Sequence, residues 1–392
     1  MDKPKLLYAS PFPPQPSGIS DYSVMLVKAL EKKFDITLYT EKYDIVEESL
    51  SHLPALKYGI APINFDDYDY KIYNIGNNPW FHQYIYKTAL EHPGMVILHD
   101  FIIYYLYVGY HQEKQDLYSS IYCNEGLDAF LTIKNAIKQS NLPLLEQKHL
   151  SADMPLNREL LASDNKLMVH SKYSYDKALA SGLIEEKNMR KINIIKQMED
   201  NPKIIDRDEL FEKYNVPKDA LLISSFGYIA HTKLNLEVAR VVKKIAAKLD
   251  KKICYLMVGE GGYADEELQD GLILKTGYTE LDEFNSFVEY SDIIVNLRYP
   301  SMGETSAAML RILQTGKPCI TNNGGWFSEL PDDCVCKIKL DDIEGNLYTA
   351  VMNMIENEEF RTELSKRAKD YAEREYNGDY IVQQIYDFLS EE

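Results

Sequence analysis

Short strand-like runs alternate with segments of helical period along almost the whole chain, and no other feature restricts the fold as much. Parallel strands need a crossover of a dozen or more residues, usually helical, so the alternation predicts α/β architecture built on parallel sheets. It runs twice. The first series places strands at 5–9, 35–39, 70–75, 95–98 and 166–170, with a helix starting at Ser20-Asp21. The second places them at 221–226, 253–258, 272–276, 293–296, 318–321 and 334–338. A tyrosine-rich stretch from Phe101 to Tyr122 reads as helical and is the least regular part of the first series.

A chain of 392 residues exceeds the size at which one core usually divides, so two domains are expected. The expected boundaries are 1–198 and 199–375, with a hinge at 198–202 where the chain turns polar and meets proline. Residues 358–392 form a charged helical stretch broken near Tyr376-Asn377-Gly378-Asp379. Its last part, 376–392, is amphipathic through Tyr380, Ile381, Ile385, Tyr386 and Leu389. Two open sheets facing one another would leave a cleft at their carboxyl edges, the usual ligand position in such folds.

The net charge of −18 opposes nucleic acid as a partner. No apolar run reaches the roughly 20 residues that span a bilayer, and Met1 to Lys5 carry no apolar core of a secretory signal. Five cysteines, Cys123, Cys254, Cys319, Cys334 and Cys336, fit buried reduced thiols of a cytoplasmic protein. Cys334 and Cys336 alternate along one strand without a second pair, which argues against zinc.

The most informative segment runs from Asn296 through Arg298 to Arg311. A strand ends, a loop carries Gly303-Glu304-Thr305-Ser306, and a helix opens at Thr305 or Ser306 and stops at Gly316 before Pro318. First-turn amides and the helix dipole suit a phosphate there, and Arg298 can add charge. An ordinary capped helix has the same sequence signature. Lys233 follows a strand and the loop opened by Gly227-Tyr228, where a lysine can neutralise a diphosphate; a solvated surface lysine is the plainer reading. Gly18 lies in the first strand-to-helix loop, where backbone can approach a ligand. His99 ends the strand 95–98 and is followed by Asp100; it serves equally as a structural or a functional residue. The fingerprint G-x-G-x-x-G is missing both there and at Gly259-Glu260-Gly261-Gly262, which disfavours nicotinamide chemistry.

Taken together, the chain resembles the retaining GT-B glycosyltransferases of family 4, in a bacterial subgroup associated with surface glycans. The resemblance is carried by Pro11-Phe12-Pro13-Pro14 with Gly18 to Ser23, Ile75-Gly76-Asn77-Asn78-Pro79 with His82, and Val96-Ile97-Leu98-His99-Asp100. It continues through Val169-His170-Ser171, Phe226-Gly227-Tyr228, Lys233, Leu297 to Pro300, Gly303 to Ser306, Gly316-Lys317-Pro318 and Gly325 to Pro331. It implies two Rossmann-like domains facing across a cleft, with the last helix returning to the first domain. The first domain would bind acceptor, with Asn78, His82, Asp100 and Tyr104 as candidates on that side. The second would bind a UDP- or GDP-sugar.

The resemblance further implies Gly18 against the donor phosphates, His99 beside the sugar, Lys233 on the diphosphate, the Glu304–Ser306 backbone capping it and the Glu304 side chain touching the donor sugar, with His99, Lys233 and Glu304 as the catalytic candidates. Tyr278 would lie by the base. No cofactor or metal is implied. Two positions depart from the pattern. Tyr228 stands where the family has arginine, with Arg298 as substitute. Gly303 and Arg311 occupy the places of two glutamates, Glu304 being shifted by one; Arg311 cannot accept a ribose hydroxyl's hydrogen bond. The expected reaction is sugar transfer to a hydroxyl of a glycan, lipid-linked glycan or protein, in the cytoplasm, with peripheral membrane contact through the first domain. The rivals are a catalytically silent subunit and a sugar-nucleotide epimerase.

Overall fold

The computed structural model describes residues 3–140 and 142–391; Met1, Asp2, Asn141 and Glu392 lie outside the described residues. The chain forms two compact units. The first comprises residues 3–195, Met302–Thr305 and 378–391; the second comprises Lys196–Ser301 and Ser306–Asn377.

The first unit carries a seven-stranded parallel sheet. Its strands are β1 (Lys5–Ala9), β2 (Asp35–Thr40), β3 (Ala55–Lys57), β4 (Tyr70–Ile75), β5 (Met95–Leu98), β6 (Lys166–Val169) and β7 (Met189–Lys191), in the order β3-β2-β1-β4-β5-β6-β7. Every residue of β5 is buried, as a parallel strand covered on both faces requires. The short edge strands β3 and β7 were not distinguishable by pattern, since three residues show no period. The first helix, Gly18–Leu30, begins earlier than its sequence predicts. Ser17 is its N-cap and accepts from the Ile19 amide at 3.2 Å, while Ser20 is buried inside the first turn.

The second unit carries a six-stranded parallel sheet: β8 (Leu221–Phe226), β9 (Ile253–Val258), β10 (Ile273–Lys275), β11 (Ile293–Val295), β12 (Cys319–Asn322) and β13 (Cys336–Ile338), in the order β10-β9-β8-β11-β12-β13. Cys334 precedes β13 instead of lying in it, and its thiol donates to the Arg367 carbonyl at 3.5 Å. Cys123 is exposed, contrary to a uniformly buried cysteine set.

The final helix, Gly378–Ser390, belongs to the first unit. It buries Ile381, Val382, Ile385, Phe388 and Leu389, whereas Tyr380, expected on the apolar face, is exposed. Tyr386 packs on Phe34 at 5.6 Å, and Lys166 Nζ donates to the Phe388 carbonyl at 2.9 Å. No helix among the described residues is long and apolar enough to cross a membrane.

Candidate functional site

Each sheet has one point where successive strands leave in opposite directions, and loops diverge there to leave room for a ligand. In the first sheet this switch lies between β1 and β4; in the second it lies between β8 and β11. The residues singled out in the sequence collect at these two edges.

At the first edge, Gly18 opens its helix with nothing within 4 Å of the place a side chain would occupy. Its backbone does not need glycine, so the missing side chain leaves open space. His99 follows β5. Its Nε2 lies 3.0 Å from Asn74 Oδ1, and its ring packs edge-on against Tyr22 (4.7 Å) and beside His170 (5.3 Å). Burial holds the His99 ring well below the usual imidazole range, and the neighbouring His170 and His82 rings push it the same way. Desolvation likewise takes His170 down to about 4, although its Nδ1 donates to the Ile192 carbonyl at 2.9 Å.

Two acceptor-side candidates, His82 and Tyr104, are buried and otherwise engaged. His82 is buried, with its Nδ1 3.1 Å from the Asn74 carbonyl and its pKa pushed down to about 4 by burial. Tyr104 is fully buried and its hydroxyl donates to the Leu144 carbonyl at 3.2 Å. Asn78 is exposed, but its side chain caps the helix Pro79–Glu91 through the Trp80 amide at 2.9 Å. Asp100, partly buried, accepts from the Asn77 amide at 2.8 Å. Neither His82 nor Tyr104 presents a surface to an acceptor: both lie on the inward stripes of their helices.

In the second unit, Gly227 follows β8 at φ +87°, a left-handed conformation that favours glycine. Its amide donates to the Val258 carbonyl at 2.9 Å. Lys233 Nζ donates to the Phe226 carbonyl at 2.6 Å and so lies directly under this loop. Beside it, Asn322 brackets Arg298, accepting from its amide at 2.7 Å and donating to its carbonyl at 3.1 Å. The Tyr299 amide donates to the Thr232 carbonyl at 2.7 Å, which ties the Lys233 and Arg298 loops together. Tyr228 and Tyr278 are both more than half exposed.

The helix Ala307–Thr315 opens as expected. Ser306 is its N-cap, accepting from the Met309 amide at 3.1 Å, and Gly316 closes it at φ +69°. Arg311 is buried in this helix with its guanidinium 5.6 Å from the Phe284 ring centre, a packing position. The preceding residues Met302–Thr305 are part of the first unit. Gly303 stands at φ +82° and is buried, Glu304 accepts from the Met302 amide at 2.6 Å, and Thr305 is partly buried.

Asn74, Asn322 and Ser174 organise these edges, yet nothing in their sequence context marks them. A polar residue in the buried half of a strand, as Asn74 is, was the one available signal. Among the described residues no group of three or more His, Cys, Asp or Glu is placed to hold a metal ion.

No family model and no curated protein matches the chain. Solved structures do. HepE from Anabaena, crystallised with UDP and glucose, matches over 99% of both chains at a TM-score of 0.67 and 12% identity. WaaG, a glycosyltransferase involved in lipopolysaccharide biosynthesis, matches over 99% of this chain and 100% of its own, with a TM-score of 0.60 and 11% identity. A Listeria monocytogenes protein described as a UDP-N-acetylglucosamine 2-epimerase matches over 98% and 95%, with a TM-score of 0.55 and 11% identity. With parallel sheets of seven and six strands, the chain has the two-domain α/β fold called GT-B.

Proposed function

We propose that the chain is a metal-independent glycosyltransferase that moves a sugar from a UDP- or GDP-sugar to a hydroxyl acceptor with retention of configuration, as family 4 enzymes do. The observation that carries this reading is the switch point of the second sheet. Lys233 and Arg298 stand there on adjoining loops joined by the Tyr299–Thr232 hydrogen bond. Two cations on a rigid scaffold stabilise charge that develops on a departing diphosphate, and such stabilisation is worth more in the transition state than in the ground state.

In the proposed reaction the anomeric carbon–oxygen bond breaks and its electron pair leaves with the diphosphate. The acceptor oxygen bonds to the same face of that carbon and passes its proton to the departing phosphate. Lys233 and Arg298 bind the diphosphate, together with the backbone of Glu304–Ser306; Gly18 leaves room for phosphate; His99 stands beside the sugar. Gly227 shapes the Lys233 loop, and the exposed Tyr228 and Tyr278 are the stacking candidates for the base. Asp100 and Asn78 remain the acceptor-side candidates. HepE, with its UDP and glucose, supports a nucleotide-sugar donor.

The membrane contact, on this reading, belongs to the helix Leu127–Gln139 of the first unit. Leu127, Leu131, Lys134 and Lys138 share one face at helical spacing, and exposed Tyr118 and Tyr122 flank Phe130 at 6.1 and 6.0 Å. Apolar and aromatic groups with lysines along the same face fit an anionic bilayer surface.

The test is a mass-spectrometric screen of a nucleotide-sugar panel, read as release of free nucleotide diphosphate with and without acceptor. Absence of turnover with every donor sinks the reading. The Listeria neighbour motivates the epimerase alternative. An epimerised or eliminated product from donor alone would select it.

A further inference from the structure

Three of the hydrogen bonds of Asn74 together fix the chemistry of its neighbours. It is fully buried near the carboxyl end of β4. Its Nδ2 lies 3.2 Å from the Ala9 carbonyl on the adjacent β1, and its Oδ1 lies 3.0 Å from His99 Nε2. Its own carbonyl lies 3.1 Å from His82 Nδ1.

These distances leave one consistent assignment. A carbonyl oxygen only accepts, so the amide nitrogen must face Ala9 and the amide oxygen must face His99. The oxygen accepts, so His99 Nε2 carries a proton. Apart from this bond, the His99 ring has no hydrogen-bond partner among the described residues; its backbone amide donates to the Ile75 carbonyl at 2.9 Å. Its surroundings oppose a second ring proton. Tyr22, His170 and His82 face it from the first helix, from the end of β6 and from the helix Pro79–Glu91. A neutral ring with Nε2–H has a bare lone pair on Nδ1.

We propose that Asn74 is a positioning residue that locks His99 as the Nε2–H tautomer, so that His99 meets its ligand through Nδ1 as a hydrogen-bond acceptor. The ligand group at that nitrogen is therefore a donor, a hydroxyl of an uncharged sugar, and not a carboxylate or phosphate. The tautomer lock stands on the protein alone; the sugar hydroxyl rests on the transferase reading above. A carboxylate placed there would set lone pair against lone pair.

Long-range proton–nitrogen correlation spectra of uniformly labelled, ligand-free protein at about pH 7 test the lock, with His99→Gln assigning the signals. The expected result is a protonated Nε2 and an unprotonated Nδ1 for His99. An Nδ1–H ring, or a ring protonated at both nitrogens, overturns it without reference to any variant. Asn74→Asp supplies a second readout that lost packing would not produce. A carboxylate beside Nε2 favours the charged ring, so His99 should then carry both protons; an unchanged tautomer in folded Asn74→Asp protein counts against the positioning role. The ligand class is read by calorimetry with matched pairs, UDP-glucose against UDP-glucuronate and GDP-mannose against GDP-mannuronate. The neutral member of the bound pair should bind about tenfold or more tightly. Equal affinity overturns the hydroxyl assignment, and binding of none of the four overturns it together with the donor reading while the spectra still decide the lock.

Discussion

The Ser174 hydroxyl donates to the Gly303 carbonyl at 2.9 Å, so the first residue of the expected phosphate turn is held by a structural bond. Gly303 is left-handed, and a Cβ there would fall 2.5 Å from Phe101 Cβ. Gly303→Ala should cost about 2 kcal/mol of stability from backbone strain and overlap. Ser174→Ala should cost about 1 kcal/mol for the lost bond. Urea unfolding measures both, and a Gly303→Ala protein as stable as wild type would contradict the strain.

Gly18 predicts the opposite behaviour. Its Cβ would meet open space in the first turn of a helix, where alanine is the better helix former. Gly18→Leu should therefore fold with a melting temperature close to that of wild type. If the proposed phosphate position is right, the same change should raise KM for the donor about tenfold or more. An unchanged KM would remove Gly18 from the donor surface.

Lys233→Ala and Arg298→Ala test charge stabilisation directly. Loss of one preorganised cation should lower kcat/KM by about a hundredfold, with Lys233→Arg recovering only part of it. Unchanged kcat/KM in either alanine variant would strike that residue from the diphosphate site.

Stability should fall in mild acid. His82 and His170 sit at about 4 in the folded chain, below the ordinary value of 6.5. Unfolded chains therefore bind protons first, and the contribution of each ring is complete above about pH 6.5 and lost as pH drops toward 4. The expected loss is about 2 kcal/mol per ring by about pH 4.5. Asparagine keeps a donor near the position of Nδ1 without titrating. The double variant His82→Asn, His170→Asn should thus show a flatter decline of stability between about pH 6.5 and 4.5, and an identical slope would refute the assignment.

The lipid surface is tested by vesicle sedimentation. Wild-type protein should pellet with vesicles containing phosphatidylglycerol and remain in solution with phosphatidylcholine alone. Leu127→Glu with Leu131→Glu should abolish pelleting while nucleotide release from the donor stays unchanged. Equal pelleting of the double variant would place the contact elsewhere.

The sheets were legible because buried parallel strands are continuous apolar runs, and β1, β4, β5, β8 and β9 fall where those runs do. The stop at Gly316 was legible for a different reason: a left-handed C-cap followed by proline has few alternatives. Side-chain direction was harder. The resemblance offers His82 and Tyr104 as acceptor-side candidates, but each shares a helical stripe with buried residues. His82 lies in line with Pro79, Ile85, Tyr86 and Ala89, and Tyr104 with Tyr107, Val108 and His111. Asn74 stands out only as a polar residue in a buried strand, and its partners could not be read. They depend on β1, β4 and β5 lying side by side, which is a property of strand order and not of local sequence.

The first unit is made from stretches far apart in the chain, and its last stretch, 378–391, is translated after the whole of the second unit. Until that helix emerges, the face it covers near Phe34 and Lys166 stays open to solvent. Synthesis order and folding order are therefore inverted: the unit that begins first must wait, exposed to chaperones and proteases, for the chain's final turns to complete it.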